Sequence, residues 1–402
     1  MSINKIKNLG ILDSAVTTAK IADDAVTSAK IADSAVTNTM LAGSIATSKL
    51  ANQNIGFRNF LINGDMSQAQ RGTTFTSQTG VAYHLDRWEM YGYNMGDGVY
   101  RVDQSTDAPA GFSNSNKVSC TTADASQDAN NQMFFQQMIE GLNSSHINYF
   151  VSSPDTVTLS FWVKSNRTGS YSLALKLSDN GSAQDNTSTR IYNSTYSVSV
   201  ANTWENKTIT IILDTNSSTK VVTNGFAIAV QFWLGGGTNR DGSAVNSWIN
   251  NGNAATASDN LDILGSTSND WYITGVQLEA GTTASDFENV PYDINLQRCE
   301  RYYQLLQGFE GSMRGTTNFG CTTMFRTQMR SAPSVTQSGD LQITDGNNDF
   351  TQSSVSVSIP ASRVTTLGVQ LNFVNFSGLT QFRPAGQNTN VNDSKVGADA
   401  EL

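Results

Sequence analysis

TVTLSFWVK, residues 156–164, alternates apolar and polar side chains along its whole length: Val157, Leu159, Phe161 and Val163 take one face, and Thr158, Ser160, Trp162 and Lys164 take the other. A period of two marks a strand half buried in a sheet. The pattern spreads outward from there. YSLALKL (171–177) sets Tyr171, Leu173, Leu175 and Leu177 against Ser172, Ala174 and Lys176, and FAIAVQFWL (226–234) sets Phe226, Ile228, Val230, Phe232 and Leu234 against Ala227, Ala229, Gln231 and Trp233. TITIIL (208–213) and WYITGVQLE (271–279) supply two more strands. Five or more such strands with polar, Gly-rich turns predict a β-sandwich over residues 56–294.

Composition agrees with a mostly β chain. Its 402 residues suffice for two or three domains, and only 15% are charged, so the polar share is carried by Asn, Ser, Thr, Gly and Gln, which favour strands and turns over helices. A net charge of −9 without any Lys/Arg cluster argues against nucleic acid or an anionic membrane as partner. The opening MSINKIKNLG has no apolar run behind its lysines, and no later stretch reaches membrane-spanning length. The expectation is synthesis in a cytoplasm, with no membrane insertion. Cys120, Cys299 and Cys321 are odd in number and far apart, which suits reduced thiols.

Residues 1–55 carry a different pattern. ILDSAVTTAK IADDAVTSAK IADSAVTNTM (11–40) repeats one decapeptide, with Asp13, Asp23 and Asp33 in register, Val16, Val26 and Val36 likewise. A period of ten fits neither seven nor eleven, so a straight helical seam would precess by roughly 80° per copy. A single strand would mix Ile21 and Asp23 on one face. Such small repeats become stable by stacking on neighbours or on other chains, which predicts the shaft of an oligomer; a flexible Ala/Thr linker is the other reading.

The ordered segments GFRNFLINGDMSQAQRGTTFT, TVTLSFWVKSNRTGSYSLALK, NTWENKTITI and WYITGVQLEAGTTASDFENVPYDINLQRCERYYQ together resemble the jelly-roll domain of bacteriophage tail fibres, which looks like carbohydrate-binding modules. The AVTxAKIADxAVT decapeptides are similar to tail-fibre repeats. The resemblance spans most of residues 11–310 and brings no catalytic signature. It implies a homotrimer that docks on a phage tail protein through its first residues, with Met1, Ile3, Ile6 and Leu9 as the attachment candidates, and that binds host-cell saccharide as a virion tail fibre. Modules of this shape often hold a structural calcium near the first strand. Here the segment reads Asn63-Gly64-Asp65-Met66-Ser67 without the usual Phe-Glu pair, so no metal or other cofactor is carried over. A bacterial or secreted lectin and a ligand-free structural virion component are the other readings.

In residues 295–402, INLQRCERYYQLL predicts about three helical turns, since Leu296, Cys299, Tyr303 and Leu306 fall near helical spacing. The rest reads as a small β-rich tip.

Catalytic chemistry is sparse. His84 and His146 have no Cys or second His at ligand spacing, and GGGTNRDGS (235–243) lacks the Gly-Lys-Ser/Thr that would hold phosphate. Asp155, Asp241, Asp262 and Asp270 are isolated turn carboxylates, so no enzyme is expected. The aromatic residues are better candidates, because flat rings stack on the C–H faces of sugars. Trp162 and Trp233 are out of phase with their strands' apolar faces, beside Lys164 and Gln231. Parity therefore turns both away from the core, where they would serve as a glycan platform or pack against a subunit or the tip, and their loss would leave the sandwich intact. Trp88, Tyr91, Tyr93 and Tyr100 form a second cluster in RWEMYGYNMGDGVY, read as core and loop packing.

Overall fold

A computed structural model of the chain describes residues 57–402, apart from 125, 183–188, 243–244, 251–254, 258–259, 354, 359–362 and 389–394. The decapeptide repeats and Met1, Ile3, Ile6 and Leu9 lie outside the described residues. Phe57–Leu402 forms one compact unit that holds two large hydrophobic cores.

The larger core is a β-sandwich. Its strands are β1 (Thr74–Gln78), β2 (Ala82–Tyr83), β3 (Glu89–Tyr93), β4 (Val99–Ser105), β5 (Ser115–Thr122), β6 (Gln132–Glu140), β7 (Thr156–Ser165), β8 (Gly169–Ser178), β9 (Thr189–Val198), β10 (Glu205–Ile212), β11 (Phe226–Gly236), β12 (Trp248–Ile249) and β13 (Asp270–Ala280), with a one-turn helix α1 (Gly141–Ser144) after β6. One sheet has the order β1-β4-β5-β13-β7-β10, the other β12-β9-β8-β11-β6-β3-β2. Chain-adjacent strands repeatedly change sheet, as β7 to β8 and β10 to β11 do, and β13 returns to the middle of the first sheet; this is jelly-roll connectivity.

The alternation read from the sequence decides which side chains fill the space between the sheets. Val157, Leu159, Phe161 and Val163 from β7 meet Leu173, Leu175, Val230 and Phe232 from β8 and β11 inside one core. In β13 the alternation slips by one residue: Trp271 and Ile273 point inward, a bulge follows Thr274, and Val276 and Leu278 resume the inward set. Gly275 makes the bulge possible, since its φ is +61° and a Cβ there would stand 2.6 Å from the Phe112 ring.

The smaller core belongs to residues 306–400 and gathers Met313, Phe319, Ile343, Leu371 and Phe373. After helix α2 (Tyr292–Glu300) come β14 (Tyr303–Leu306), β15 (Glu310–Met313), β16 (Phe319–Met324), β17 (Ser334–Ser338), β18 (Gln342–Thr344), β19 (Asp349–Thr351), β20 (Val357–Ser358), β21 (Gly368–Phe373), β22 (Pro384–Gln387) and β23 (Lys395–Asp399). They form sheets β14-β23-β17 and β19-β18-β22-β15-β16-β21-β20. The helix expected over INLQRCERYYQLL is shorter than its spacing suggests. It begins at Tyr292, ends at Glu300, and the remaining Tyr303–Leu306 is strand β14, paired antiparallel with β23. Pairing satisfies the Tyr303–Leu306 backbone and buries Gln304 and Leu306 on alternate positions, which outweighs a weak helical periodicity.

Buried charges join the two bodies. Arg301 makes a two-pronged bond to Glu140 (2.7 and 3.0 Å), which also accepts from the Tyr302 hydroxyl at 2.9 Å and from Asn143 Nδ2 at 3.3 Å. Arg87 pairs with Glu401, and Arg330 donates across to Asn224 O (2.9 Å) while holding the chain end through Ala400 O (2.7 Å) and Glu401 O (2.6 Å).

Candidate functional site: an aromatic face on the six-stranded sheet

The outward side chains of β7, β13 and β5 fall into register. Lys164 stands opposite Tyr272, and Tyr272 opposite Lys117. One row along, Trp162 stands between Asn206 of β10 and Thr274 of β13. Trp204, just before β10, completes the first row. Its ring meets that of Tyr272 edge-on at 6.1 Å, and its Nε1 donates to Asp107 Oδ1 at 3.1 Å. Lys164 pairs with the same carboxylate while its Nζ sits 4.2 Å from the Tyr272 ring centroid and 5.3 Å from that of Trp204. The ammonium is thus screened by two aromatic rings and one carboxylate. Trp162 and Phe112 both lie against Gly275, and Phe112 meets Phe287 edge-on at 5.0 Å.

Trp162, Trp204, Tyr272, Phe112 and Phe287 are all half-buried, so each is held by neighbours yet offers part of its ring to solvent. Charges on this face cancel in pairs. Lys164 bonds Asp107 and holds its carboxyl below the usual carboxylate range. Lys117 lies 3.1 Å from Asp270; burial pulls its ammonium down, but the hydrogen bonds it donates to Tyr272 and Asp270 outweigh that and raise it. A strip of rings flanked by neutralised charges and the Asn206 amide suits a neutral ligand with apolar C–H faces and hydroxyl rims.

The four candidate residues do not converge on one place. Trp162 and Lys164 share the platform, while Gln231 and Trp233 lie on β11 in the other sheet. Trp233 does turn away from the main core, as parity requires, but its face is not open. It is 2% exposed, in a separate cluster with Phe134, Ala174, Ile191 and Ala255, and Tyr91 stacks on Phe134 at 4.7 Å. The outer side of β11 is therefore covered by this chain's own residues. Gln231 donates to Gln136 (2.8 Å), and Gln136 in turn bonds Glu89, a polar ladder that lies buried beside the aromatic cluster. Burial raises the Glu89 carboxyl to about 7, against the opposing bond from Gln136.

Of the RWEMYGYNMGDGVY aromatics, Trp88 and Tyr100 are in the main core and Tyr93 is exposed. Trp204 and Tyr272 are site residues not singled out from the sequence. Tyr272 was readable by parity, since it follows the inward Trp271; Trp204 precedes its strand and has no parity to read. Among the described residues no three His, Cys, Asp or Glu side chains gather as a metal site, and no helix is long and apolar enough to cross a membrane. Cys120, Cys299 and Cys321 are buried and unpaired.

No protein-family profile matches the chain, and no curated protein matches it. Among solved structures, the enzymatically active domain of tailspike protein 4 from bacteriophage CBA120 is similar at 13% identity and a TM-score of 0.29, over 56% of this chain and 21% of that one. A family 11 carbohydrate-binding module from Clostridium thermocellum, in complex with a β-1,3-1,4-mixed-linked tetrasaccharide, is similar at 11% identity and a TM-score of 0.26, over 53% of this chain and 97% of that one. The module TmCBM61, in complex with β-1,4-galactotriose, is similar at 12% identity and a TM-score of 0.27, over 56% and 100%. Scores this low add no weight to fold or function. The chain spans about a fifth of the tailspike domain it matches.

Proposed function

We propose that this chain is a non-catalytic saccharide-binding protein, and that it works as the receptor-binding tail fibre of a bacteriophage. The observation that carries the binding reading is the half-buried pair Trp204 and Tyr272, set edge-on over the Lys164–Asp107 ion pair. The rings supply stacking area, and the paired charges and nearby amides supply hydrogen bonds without favouring an anion or a cation. The fibre reading is supported by the decapeptide repeats and by the ordered segments that resemble tail-fibre jelly rolls. In it, three copies assemble through residues 1–55, the first residues dock on a tail protein, and three weak sites act together to raise avidity.

A glycan array probed with the full chain and with Trp204→Ala tests the binding reading: specific signals that the substitution weakens support it, and no signal from either protein overturns it. Native mass measurement and purified virions test the fibre reading. A monomer, or absence from virions, removes it and leaves a lectin.

A further inference from the structure

Where the segment before β1 passes α2 and the end of β14, the surface opens into a pocket of about 460 Å³. That volume suits a small-molecule ligand. The pocket lies at the β1–β4 edge of the six-stranded sheet, whereas the aromatic platform lies towards the β7–β10 edge.

Its walls are fixed by their own hydrogen bonds. Gln70 Nε2 donates to Tyr303 O and to Asp86 Oδ2, both at 3.0 Å. Gln68, 1% exposed, donates to Tyr292 O (3.2 Å), and Gln104 to Met66 O (2.8 Å) and Ser67 O (3.2 Å). These bonds occupy the amide nitrogens of Gln68 and Gln104 and leave each Oε1 without a donor among the described residues. The Gln307 side chain, also on the lining, has no hydrogen-bond partner among the described residues. Leu296 and Leu305 add apolar area and Tyr292, 66% exposed, adds an aromatic ring. The charged groups of the lining, Glu300 and Arg326, are paired with each other at 2.6 Å.

From this lining we infer that the pocket is a second saccharide site, taking a neutral mono- or disaccharide unit. Amide oxygens and a free carboxamide match hydroxyl donors and acceptors, and the Leu and Tyr surfaces match C–H faces. The cancelled charge gives no preference for an anion. The inference uses no residue of the platform.

The test is calorimetric titration of the full chain with maltose and with lactose, in wild type, Trp204→Ala, and Trp204→Ala combined with Tyr292→Ala or Leu296→Trp. The Trp204 substitution reports on the platform alone, so failure there is separable from failure here. Residual binding of at least one sugar in Trp204→Ala is expected, weakened about tenfold by Tyr292→Ala and abolished by Leu296→Trp, which fills the pocket. Tyr292 is exposed, so its variant folds even where Leu296→Trp does not. No residual binding of either sugar, or residual binding indifferent to Tyr292→Ala, overturns the proposal. Titration of Trp204→Ala with glucose and with glucuronate reads the charge preference, and tighter binding of glucuronate also overturns the proposal.

Discussion

Lys164 and Tyr272 face each other across neighbouring strands, with the ammonium nitrogen 4.2 Å from the centre of the phenol ring. An ammonium so placed, and paired with Asp107, is a fixture of the site rather than a free charge. It braces Tyr272 and Trp204, which present the stacking surface. Trp204→Ala and Tyr272→Ala should each weaken saccharide binding about tenfold, while the melting temperature stays nearly constant because both rings are half-buried. Titration and thermal melts on the same samples check it. Unchanged affinity in both variants would move the site elsewhere.

Trp233 should behave in the opposite way. With its ring packed against Phe134 at 4.7 Å and almost none of it exposed, Trp233→Ala should cost about 3–5 kcal/mol. Its Nε1–H finds no acceptor among the described residues, so Trp233→Phe should cost far less, the smaller ring being offset by removal of an unsatisfied donor. Urea unfolding of the two variants reads the difference. Equal losses would mean that the indole nitrogen is satisfied in solution.

Two buried titrating groups should oppose each other in the pH profile of stability. Burial raises the Glu89 carboxyl from 4.5 to about 7, so the folded chain binds the extra proton between those values. Its contribution is full below about pH 4.5 and is lost as pH rises through 7. Burial, with the Arg71 charge adding to it, lowers the His84 imidazole from 6.5 to about 4. There the unfolded chain binds the extra proton, and stability is lost as pH falls through that window. Relative to wild type, Glu89→Gln should gain stability progressively from about pH 5 to pH 8, and His84→Gln should gain it as pH falls below about 6. Melts across that range decide both, and parallel curves for wild type and either variant would refute the assignment.

The bond between Arg301 and Glu140 should matter more than an exposed ion pair. Glu140 is fully buried and takes Arg301 on both oxygens, with Tyr302 as a further donor. Arg301→Ala leaves that carboxylate short of its charged partner, and a loss of about 3–5 kcal/mol is expected, with faster proteolysis between residues 303 and 402. Arg301→Ala combined with Glu140→Gln should recover much of it. A double variant as unstable as the single one would show that the cost is packing rather than uncompensated charge.

How far the sequence could be read depended on which physical term was local. Strict alternation in β7 and β8, and in β11 from Ile228 onward, gave both the strands and their buried faces, because the pleat imposes a period of two whatever its partners. At the start of β11 a register shift between Phe226 and Ile228 reverses the reading: Ala227 is in the main core, and Phe226 packs in a separate cluster with Met138 and Ala229. Parity also gave the direction of Trp162 and Trp233. It could not give what lies above them, since the cover over Trp233 comes from Phe134 and Ala255, far away in the chain. The same limit hid Trp204, which reaches the site through a bond to Asp107, 97 positions earlier. At Tyr303–Leu306 a distant strand, β23, supplies the partner that turns a helical periodicity into a strand.

A chain beginning at Phe57 should fold as the full chain does, because both large cores lie beyond that point. The first residues of the unit are themselves anchored. Arg58 N and Asn59 N donate to the two Glu288 oxygens at 3.0 and 2.9 Å, and the Asn59 side chain bonds Val276 O (2.9 Å) and Leu278 N (3.0 Å) on β13. A chain beginning at Phe60 would lose all four bonds and leave buried β13 backbone groups unpaired, so it should melt several degrees lower than the Phe57 chain. Under the fibre proposal the Phe57 chain should still bind host cells and compete with phage adsorption, yet fail to join virions, because residues 1–56 would carry both assembly and docking. Melting curves of the two truncations test the anchoring, and adsorption and complementation assays test the division of labour. Normal incorporation of the Phe57 chain into infectious particles would place the attachment point in the sandwich or the tip and reverse the polarity assigned to the molecule.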